Sequence, residues 1–550
     1  MRVLIVGGVA GGASAAARLR RLDENATIVM FEKDEHISFA NCGLPYHIGG
    51  VIPKRASLLL QTPESFRQRF NVDVRVYTEV TGIDRAAKRV SFTNLVTGQH
   101  YTEGYDYLVL APGSVPALPP IPGLSLDVEG VFAVRNVGDA DEILERVQSG
   151  AVRRAVVLGG GFIGAEMAEN LHAAGVAVTL LERAAQLLPQ LDYEMACDVH
   201  RYVKQKGIDL HLNTSVTAVS KHADGLHIEA DGETLVADML ITATGVRPNS
   251  ALAQAAGIAA NERGGILTDA HMRTSDESIF AVGDAAVVTD FITGAPALIP
   301  LAGPANKQGR IAADNICGIP SAYGGTQGSS IVKLFDMAAA ATGLREESAK
   351  KFGLDYDKVY AWMPGHAGYY PGSKPMSMKV LFEKGAGKIL GAQIVGFDGV
   401  DKRCDLLAMA IRSGLTAFDL TKLELCYAPP FGSAKDPVNM AGYMMENVLM
   451  GKVKSFHWHD VDSLPRDGSV TLLDVRPSAE VANGHIEGFT HIPVDSLRER
   501  IRELPTGLPV YVHCHSGLRS YIAARMLMQK GFAVYNLSGG YRLYASATGK

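Results

Sequence analysis

Cysteine is scarce in this chain: six residues in 550, at positions 42, 197, 317, 404, 426 and 514, scattered too widely to form a disulfide framework. None makes a CxxC pair, so no metal centre is expected, and the thiols are to be weighed one at a time for reactivity. Basic excess is missing too. The formal net charge is −5, which offers no field for nucleic acid and leaves any anionic ligand to local cations. There is no apolar run long enough to span a bilayer, so no membrane partner is expected. Met1 leads directly into the run Val3-Leu4-Ile5-Val6, without the charged and apolar order of a secretory signal, and the chain reads as cytoplasmic. Low-complexity tracts and solenoid repeats are also absent.

Glycine, by contrast, is abundant, with 58 residues, as expected where backbone must approach phosphates closely. The length implies about three or four domains. Residues 3 to 32 read as strand, glycine turn, helix and strand, and the same order returns from Ala155 to Leu181. Two such βαβ units imply two nucleotide-binding domains, each with a parallel sheet. Asp106 to Gly113 and Asp238 to Gly245 both read as strands running into tight turns, where the chain crosses between them. From about 321 to 450 the pattern becomes β-rich (330–334, 376–382, 389–395) with a helix at 400–413. A last α/β unit starts after Gly451, with a strand at 470–473. The expected fold is therefore α/β, with two Rossmann-like domains, an α+β third domain and a C-terminal α/β domain.

At the second turn Gly159, Gly161 and Gly164 fill the GxGxxG template, and Glu182 ends the next strand, where a carboxylate meets adenosine ribose hydroxyls. That acid favours NADH over NADPH, although the adjacent Arg183 leaves NADPH open. The first turn departs from the template: Gly7 and Gly12 are present, Val9 takes the middle position, Gly11 and Ala10 keep the turn small, and Glu32 supplies the acid. Downstream, Ile279-Phe280-Ala281-Val282-Gly283-Asp284 places a carboxylate after a strand and a glycine, ahead of an expected helix.

With these features residues 1 to 450 resemble the two-dinucleotide-domain flavoprotein disulfide reductases. The resemblance implies an FAD domain over 1–115 and 245–320, an NAD(P)H domain over 116–244 and a dimerisation domain over 321–450. It places FAD at Gly7, Gly8, Gly11, Gly12, Glu32, Ala111 and Gly113, with Asp284 on the ribityl chain, and NADH at Gly159, Gly161, Gly164 and Glu182.

Cys42 stands in Ser38-Phe39-Ala40-Asn41-Cys42-Gly43-Leu44-Pro45-Tyr46, a few residues beyond the second strand of the first domain, at the carboxyl-end crevice of a doubly wound sheet. A following helix N-terminus and the flavin pocket are expected to lower its pKa. Relatives with two redox cysteines space them CxxxxC; here His47 occupies the second position, so the oxidising sulfur must come from outside. The segment closely resembles coenzyme A disulfide reductases and the related NADH-dependent persulfide reductases. That likeness extends to His366-Ala367-Gly368-Tyr369-Tyr370-Pro371-Gly372 and Tyr427-Ala428-Pro429-Pro430-Phe431-Gly432. It implies that Tyr427 and Tyr369, with Tyr370 as the weaker candidate, serve the active site of a partner subunit, hence a symmetric homodimer; buried core tyrosines are the plain alternative. Arg21, Ser38, Asn41 and Lys435, with Arg18 in addition, are implied as coenzyme A contacts. Arg18, Arg20 and Arg21 together end the first helix, where a basic end alone is more often a solvated face. The thiols of Cys197, Cys317, Cys404 and Cys426 read mostly as packing residues.

Leu472-Leu473-Asp474-Val475-Arg476, Gly484-His485-Ile486 and Val510 to Ser520 resemble a single-domain rhodanese over 456–550. A strand ending at His513 would deliver Cys514 to a loop whose backbone N–H groups favour anionic sulfur, followed by a helix at 521–527. Cys514 would carry a persulfide and Arg519 would recruit an anionic donor or acceptor. A phosphatase-like loop would place its arginine one residue later.

Together these readings imply NADH-driven, FAD-dependent reduction of CoA persulfide, polysulfide or CoA disulfide through Cys42, coupled to sulfane sulfur on Cys514. The alternatives are an NADH oxidase or peroxidase using a Cys42 sulfenic acid, and a sulfur-carrier or redox-sensing adaptor.

Overall fold

The computed structural model describes residues 1–550. They form two compact units, one of residues 1–185 and 208–328, the other of residues 186–207 and 329–550.

In the first unit two five-stranded sheets repeat one plan. The strands Ile279–Ala281, Tyr107–Leu110, Arg2–Val6, Thr27–Phe31 and Asp73–Arg75 lie side by side in that order, all parallel. The second sheet orders Asp209–Leu212, Ala177–Glu182, Arg154–Leu158, Met239–Thr242 and Val131–Phe132, again all parallel. Strands buried on both faces must be apolar throughout, and Val3, Leu4 and Ile5 are fully inaccessible. In each sheet the first strand of the βαβ unit is central, so the chain leaves it in opposite directions and a crevice opens at the carboxyl ends. The helix Ala10–Leu22 packs so closely on Ala302–Ile316 that a Cβ on Gly309 would lie 2.3 Å from the Gly11 carbonyl oxygen. Each sheet also has a three-stranded antiparallel companion, at residues 78–104 and 216–237.

The second unit holds an antiparallel sheet ordered Ser330–Leu334, Met337–Gly343, Ile389–Gly396, Pro375–Glu383 and Tyr356–Pro364. A parallel sheet follows, ordered Lys454–Phe456, Val534–Leu537, Val510–His513, Thr471–Asp474 and Thr490–His491. The helix Tyr193–Gln205 belongs to this unit for an electrostatic reason. Lys379, fully buried in the antiparallel sheet, donates to Asp192 at 2.6 Å and to Glu194 and Glu346 at 2.5 Å. A buried ammonium is tolerable only when surrounded in this way, so the segment carrying Asp192 and Glu194 is held to the sheet. These three carboxylates have the spacing of a cation site, but the lysine fills it.

No helix is long and apolar enough to cross a membrane.

Candidate active sites

Both glycine turns are required by the chain's own packing. Gly7, at φ +97°, lies against Ala111, whose carbonyl oxygen would be 2.1 Å from an added Cβ; a Cβ on Gly12 would meet the Gly7 oxygen at 1.9 Å. Gly159 and Gly164 repeat the arrangement, with 2.4 Å to the Ala243 oxygen and 1.8 Å to the Gly159 oxygen. A Cβ on Gly161, in contrast, would meet open space, as an approaching phosphate requires. Val9 can stand in place of the middle glycine because its φ is negative, at −95°, so the position does not demand the left-handed backbone that favours glycine. Gly8 and Gly11 are constrained by side chains: a Cβ on Gly8 would come within 2.6 Å of Ile37, and one on Gly11 within 2.9 Å of Val282. The two acids are also equivalent. Glu32 accepts from the Gly8 N–H at 2.8 Å and Glu182 from the Gly160 N–H at 2.6 Å, and each accepts again from the residue two further on.

The segment after Asp284 differs from the expected helix. Gly283–Ala285 is a single 3-10 turn that enters the strand Ala286–Thr289, because the β-branched pair Val287-Val288 favours extension. Asp284 accepts from the Ser114 hydroxyl at 2.9 Å, and burial pushes its pKa up. Gly113, at φ +67°, closes the turn that begins at Ala111. Glu32, Ala111, Gly113 and Asp284 thus all follow carboxyl ends of one parallel sheet. Small turns, an acid bonded to the turn's own N–H and a second, part-buried carboxylate fit a dinucleotide there, and the Gly159 turn with Glu182 fits another.

Cys42 lies in the same unit. Ser38, in the left-handed region at φ +45°, donates its N–H to the Gly8 carbonyl at 2.9 Å and so ties the cysteine loop to the first glycine turn. Asn41–Gly43 form one 3-10 turn and Leu44–Ile48 a short helix. All six cysteines are free, and Cys42 is exposed. His47, at the CxxxxC position, is buried with Nδ1 2.6 Å from the Ile52 carbonyl oxygen.

The expected low pKa of Cys42 is not what the protein groups produce. Although the residue reaches solvent, the protein packed around its sulfur raises the pKa, and the charges of Glu166 and Asp284 raise it further. A helix of five residues has too little dipole to offset them. Glu166 carries no motif that marks it in the sequence. It sits two residues past Gly164 on the helix Phe162–Ala173, accepts from the Tyr46 hydroxyl at 3.1 Å, and is itself pushed up to about 6 by burial. The one linear hint is an acid in the first turns behind the second glycine turn. Because the Cys42 thiol is pushed up from its ordinary value while Glu166 lies at about 6, Glu166 is charged throughout the thiol's titration. Glu166→Gln is therefore expected to shift alkylation of Cys42 by iodoacetamide to lower pH; an unmoved pH profile would count against this electrostatic assignment.

The basic end of the first helix is less available than its composition suggests. Arg20 is buried and donates to the carbonyls of Phe70, Asp23, Glu24, Ala26 and Asn71, a purely structural role. Arg18 donates to Asp314 at 2.6 Å. Arg21 is exposed and lies over the Phe70 ring, and Asn41 is exposed beside Cys42.

In the second unit Tyr369 and Tyr427 are 75% and 48% exposed, so neither is a core residue, and Tyr370 is exposed as well. Their hydroxyls meet at 2.8 Å, a bond that raises the pKa of Tyr369. The Ala367 N–H donates to the Pro429 carbonyl, joining the two loops, and buried Arg403 braces the second loop through Asp436 at 2.9 Å. Lys435 is exposed next to Asp436. Cys197 and Cys404 are buried, as packing residues should be, but Cys426 is exposed beside Tyr427.

The strand Val510–His513 delivers Cys514 to its loop, and the helix Leu518–Met528 begins three residues earlier than expected because Gly517, at φ +104°, serves as its cap. Cys514 is almost fully buried. Its sulfur accepts from the Gly517 N–H at 3.1 Å and from the Ser520 hydroxyl at 3.3 Å. Tyr541 and Arg542 donate their N–H groups to the carbonyls of Cys514 and His515, fixing the loop from outside. His513 is held neutral, pushed down to about 4 by burial. Arg519 reaches the sulfur's surroundings but is gripped by Glu480 through two bonds of 2.8 and 2.7 Å. Glu480 lies 39 residues away and has no sequence signal of its own.

Residues 1–309 match the pyridine nucleotide-disulphide oxidoreductase family, residues 329–437 that family's dimerisation domain, and residues 458–547 the rhodanese-like domain. A coenzyme A disulfide reductase of Staphylococcus epidermidis is 36% identical over 445 residues, covering 80% of this chain and 99% of the relative. The crystal structure of reduced Bacillus anthracis CoADR-RHD is 47% identical, with a TM-score of 0.97 over 99% of this chain and 98% of that one. An NAD-dependent persulfide reductase from A. fulgidus is 37% identical, with a TM-score of 0.91 over 99% of this chain and all of its own.

Proposed function

Because the chain belongs to the pyridine nucleotide-disulphide oxidoreductase family, among the coenzyme A disulfide reductases that carry a rhodanese domain, we propose that Cys42 accepts sulfur from CoA persulfide, polysulfide or CoA disulfide and is reset by NADH. The observation that carries this reading is an exposed, unpaired Cys42 whose CxxxxC partner is a buried histidine.

The Cys42 thiolate attacks the sulfur attached to CoA. With CoA disulfide it forms a Cys42–S–S–CoA bond and expels CoA thiolate; with CoA persulfide it forms the same bond and expels hydrosulfide. Gly7, Gly12, Glu32 and Asp284 would hold FAD, which would supply the two electrons, taken from NADH, needed to cleave this bond. A proton is needed by the departing CoA thiolate. The Tyr369–Tyr427 hydroxyl pair, reaching in from a second copy of the chain, would serve that role, since one hydroxyl can give its proton to the thiolate while the other stays hydrogen-bonded to it. Glu166 opposes the Cys42 thiolate before oxidation and therefore favours its conversion to a neutral disulfide. Arg21, Ser38, Asn41 and Lys435 are the proposed CoA contacts, with Arg18 contributing only if it releases Asp314. Glu182 selects NADH, because its carboxylate would repel a 2′-phosphate at the ribose. The dependence on free thiols suits a cytoplasmic setting.

NADH consumption should be measured with CoA persulfide, CoA disulfide, hydrogen peroxide and air-saturated buffer. The proposed chemistry gives faster turnover with the CoA substrates; faster turnover with peroxide or oxygen would favour the sulfenic acid reading instead.

A further inference from the structure

The surroundings of Cys514 contain several cations, and each is already paired. Arg476, Arg519 and Arg542 all act electrostatically on His515, the residue following the cysteine. Arg476 donates to Asp474 at 3.0 and 2.6 Å with both side chains buried. Arg542 donates to Asp198 at 2.7 Å. Arg519, which also reaches Cys514, is clamped by both oxygens of Glu480. Three arginines are thus balanced by three carboxylates, and His515 is itself held toward its neutral form, mainly by burial. The uncommitted attraction for an anion is the loop itself, whose Gly517 N–H and Ser520 hydroxyl already point at one sulfur atom.

Sulfane sulfur donors differ in the charge they bring to such a site. Thiosulfate is a dianion; when the Cys514 thiolate takes its outer sulfur, the S–S bond breaks toward sulfite, and three negative charges occupy the mouth throughout. A thiol-borne persulfide, R–S–SH, transfers its outer sulfur with the proton attached. The new bond joins Cys514 to that sulfur, the electron pair of the broken bond leaves on R–S⁻, and with the persulfide protonated the reacting atoms carry a single negative charge before and after. A loop with donors for one anion and no net cation suits the second reaction and penalises the first.

We propose that Cys514 takes sulfane sulfur from thiol-borne persulfides in preference to thiosulfate-type dianions, and that Glu480 sets this preference by holding Arg519. The proposal rests on the sulfurtransferase reading of this domain. It makes Glu480 a specificity-determining residue acting through Arg519, within the same site that the rhodanese likeness identifies.

The test uses the full-length, flavin-loaded enzyme and its Glu480→Gln variant, without NADH, with cyanide as acceptor and either thiosulfate or glutathione persulfide as donor. Wild type should show kcat/KM about tenfold higher with the persulfide, and the variant should gain about tenfold with thiosulfate while persulfide transfer changes little. Equal or better use of thiosulfate by wild type, or an unchanged donor ratio in the variant, overturns the proposal. If wild type transfers sulfur from neither donor while NADH-driven reduction is intact, the sulfurtransferase reading fails and the proposal with it. A second readout separates charge from loosening of the loop: mass spectrometry of the Cys514 peptide after iodoacetate or iodoacetamide. The variant should raise the iodoacetate rate relative to iodoacetamide, since only the former is anionic; an equal rise in both, or none, contradicts the charge assignment.

Discussion

Cys42→Ser should lower NADH-driven turnover with CoA persulfide and CoA disulfide by about a thousandfold or more, because a serine hydroxyl can neither attack a disulfide sulfur at neutral pH nor hold one. The same variant should retain its flavin absorbance, since none of the residues proposed for FAD depends on the thiol, and should retain sulfur transfer to cyanide through Cys514. Stopped-flow spectroscopy adds a sharper criterion. NADH should still bleach the flavin, while reoxidation by CoA disulfide should disappear. Reoxidation at the wild-type rate would remove Cys42 from the reaction altogether.

The second large effect is expected from Cys514→Ser. Thiocyanate formation from a persulfide donor should fall by about a thousandfold or more, because the sulfur that accepts the Gly517 and Ser520 hydrogen bonds is the atom that carries the cargo. NADH oxidation with CoA disulfide should be preserved within about twofold, since that reaction needs only Cys42 and its surroundings. Loss of both activities in the single variant would mean that the domains are coupled chemically rather than joined as two enzymes. Replacing both cysteines should then add nothing beyond the sum of the two single losses.

Much of this is legible in the linear sequence where local chemistry decides the outcome. The strands Thr27–Phe31 and Ser330–Leu334 fall where an apolar run is bounded by turn residues. The two glycine turns are readable for a similar reason, since no side chain can replace Gly7 or Gly159 against the facing carbonyls. The lone thiol at 42 needs only the histidine five residues on. What cannot be read depends on distant partners. Glu166 matters because its helix abuts Leu44–Ile48, and its bond to Tyr46 spans 120 residues. Arg20 has the composition of a solvated helix end yet is enclosed by five carbonyl bonds, two of them from Phe70 and Asn71. The upward shift of the Cys42 thiol arises from two carboxylates that only folding brings near it. Asp192 and Glu194, which the sequence pattern assigns to the second nucleotide domain, are grouped with the other unit by one buried lysine 185 residues or more away. The segment following Asp284 departs from expectation for a local reason: a glycine and an acid before small residues suggest a helix start, but the valine pair that follows carries the chain on as a strand.

In the proposed reaction Cys42 exchanges sulfur with molecules from solution. Mass spectrometry of the intact chain and of its Cys42 peptide, after exposure to CoA disulfide without NADH, tests it most directly. A single CoA-sized adduct on Cys42, released as free CoA when NADH is added, is the predicted result; a Cys42 peptide that stays unmodified, or that appears cross-linked to another cysteine of the same chain, would contradict the account.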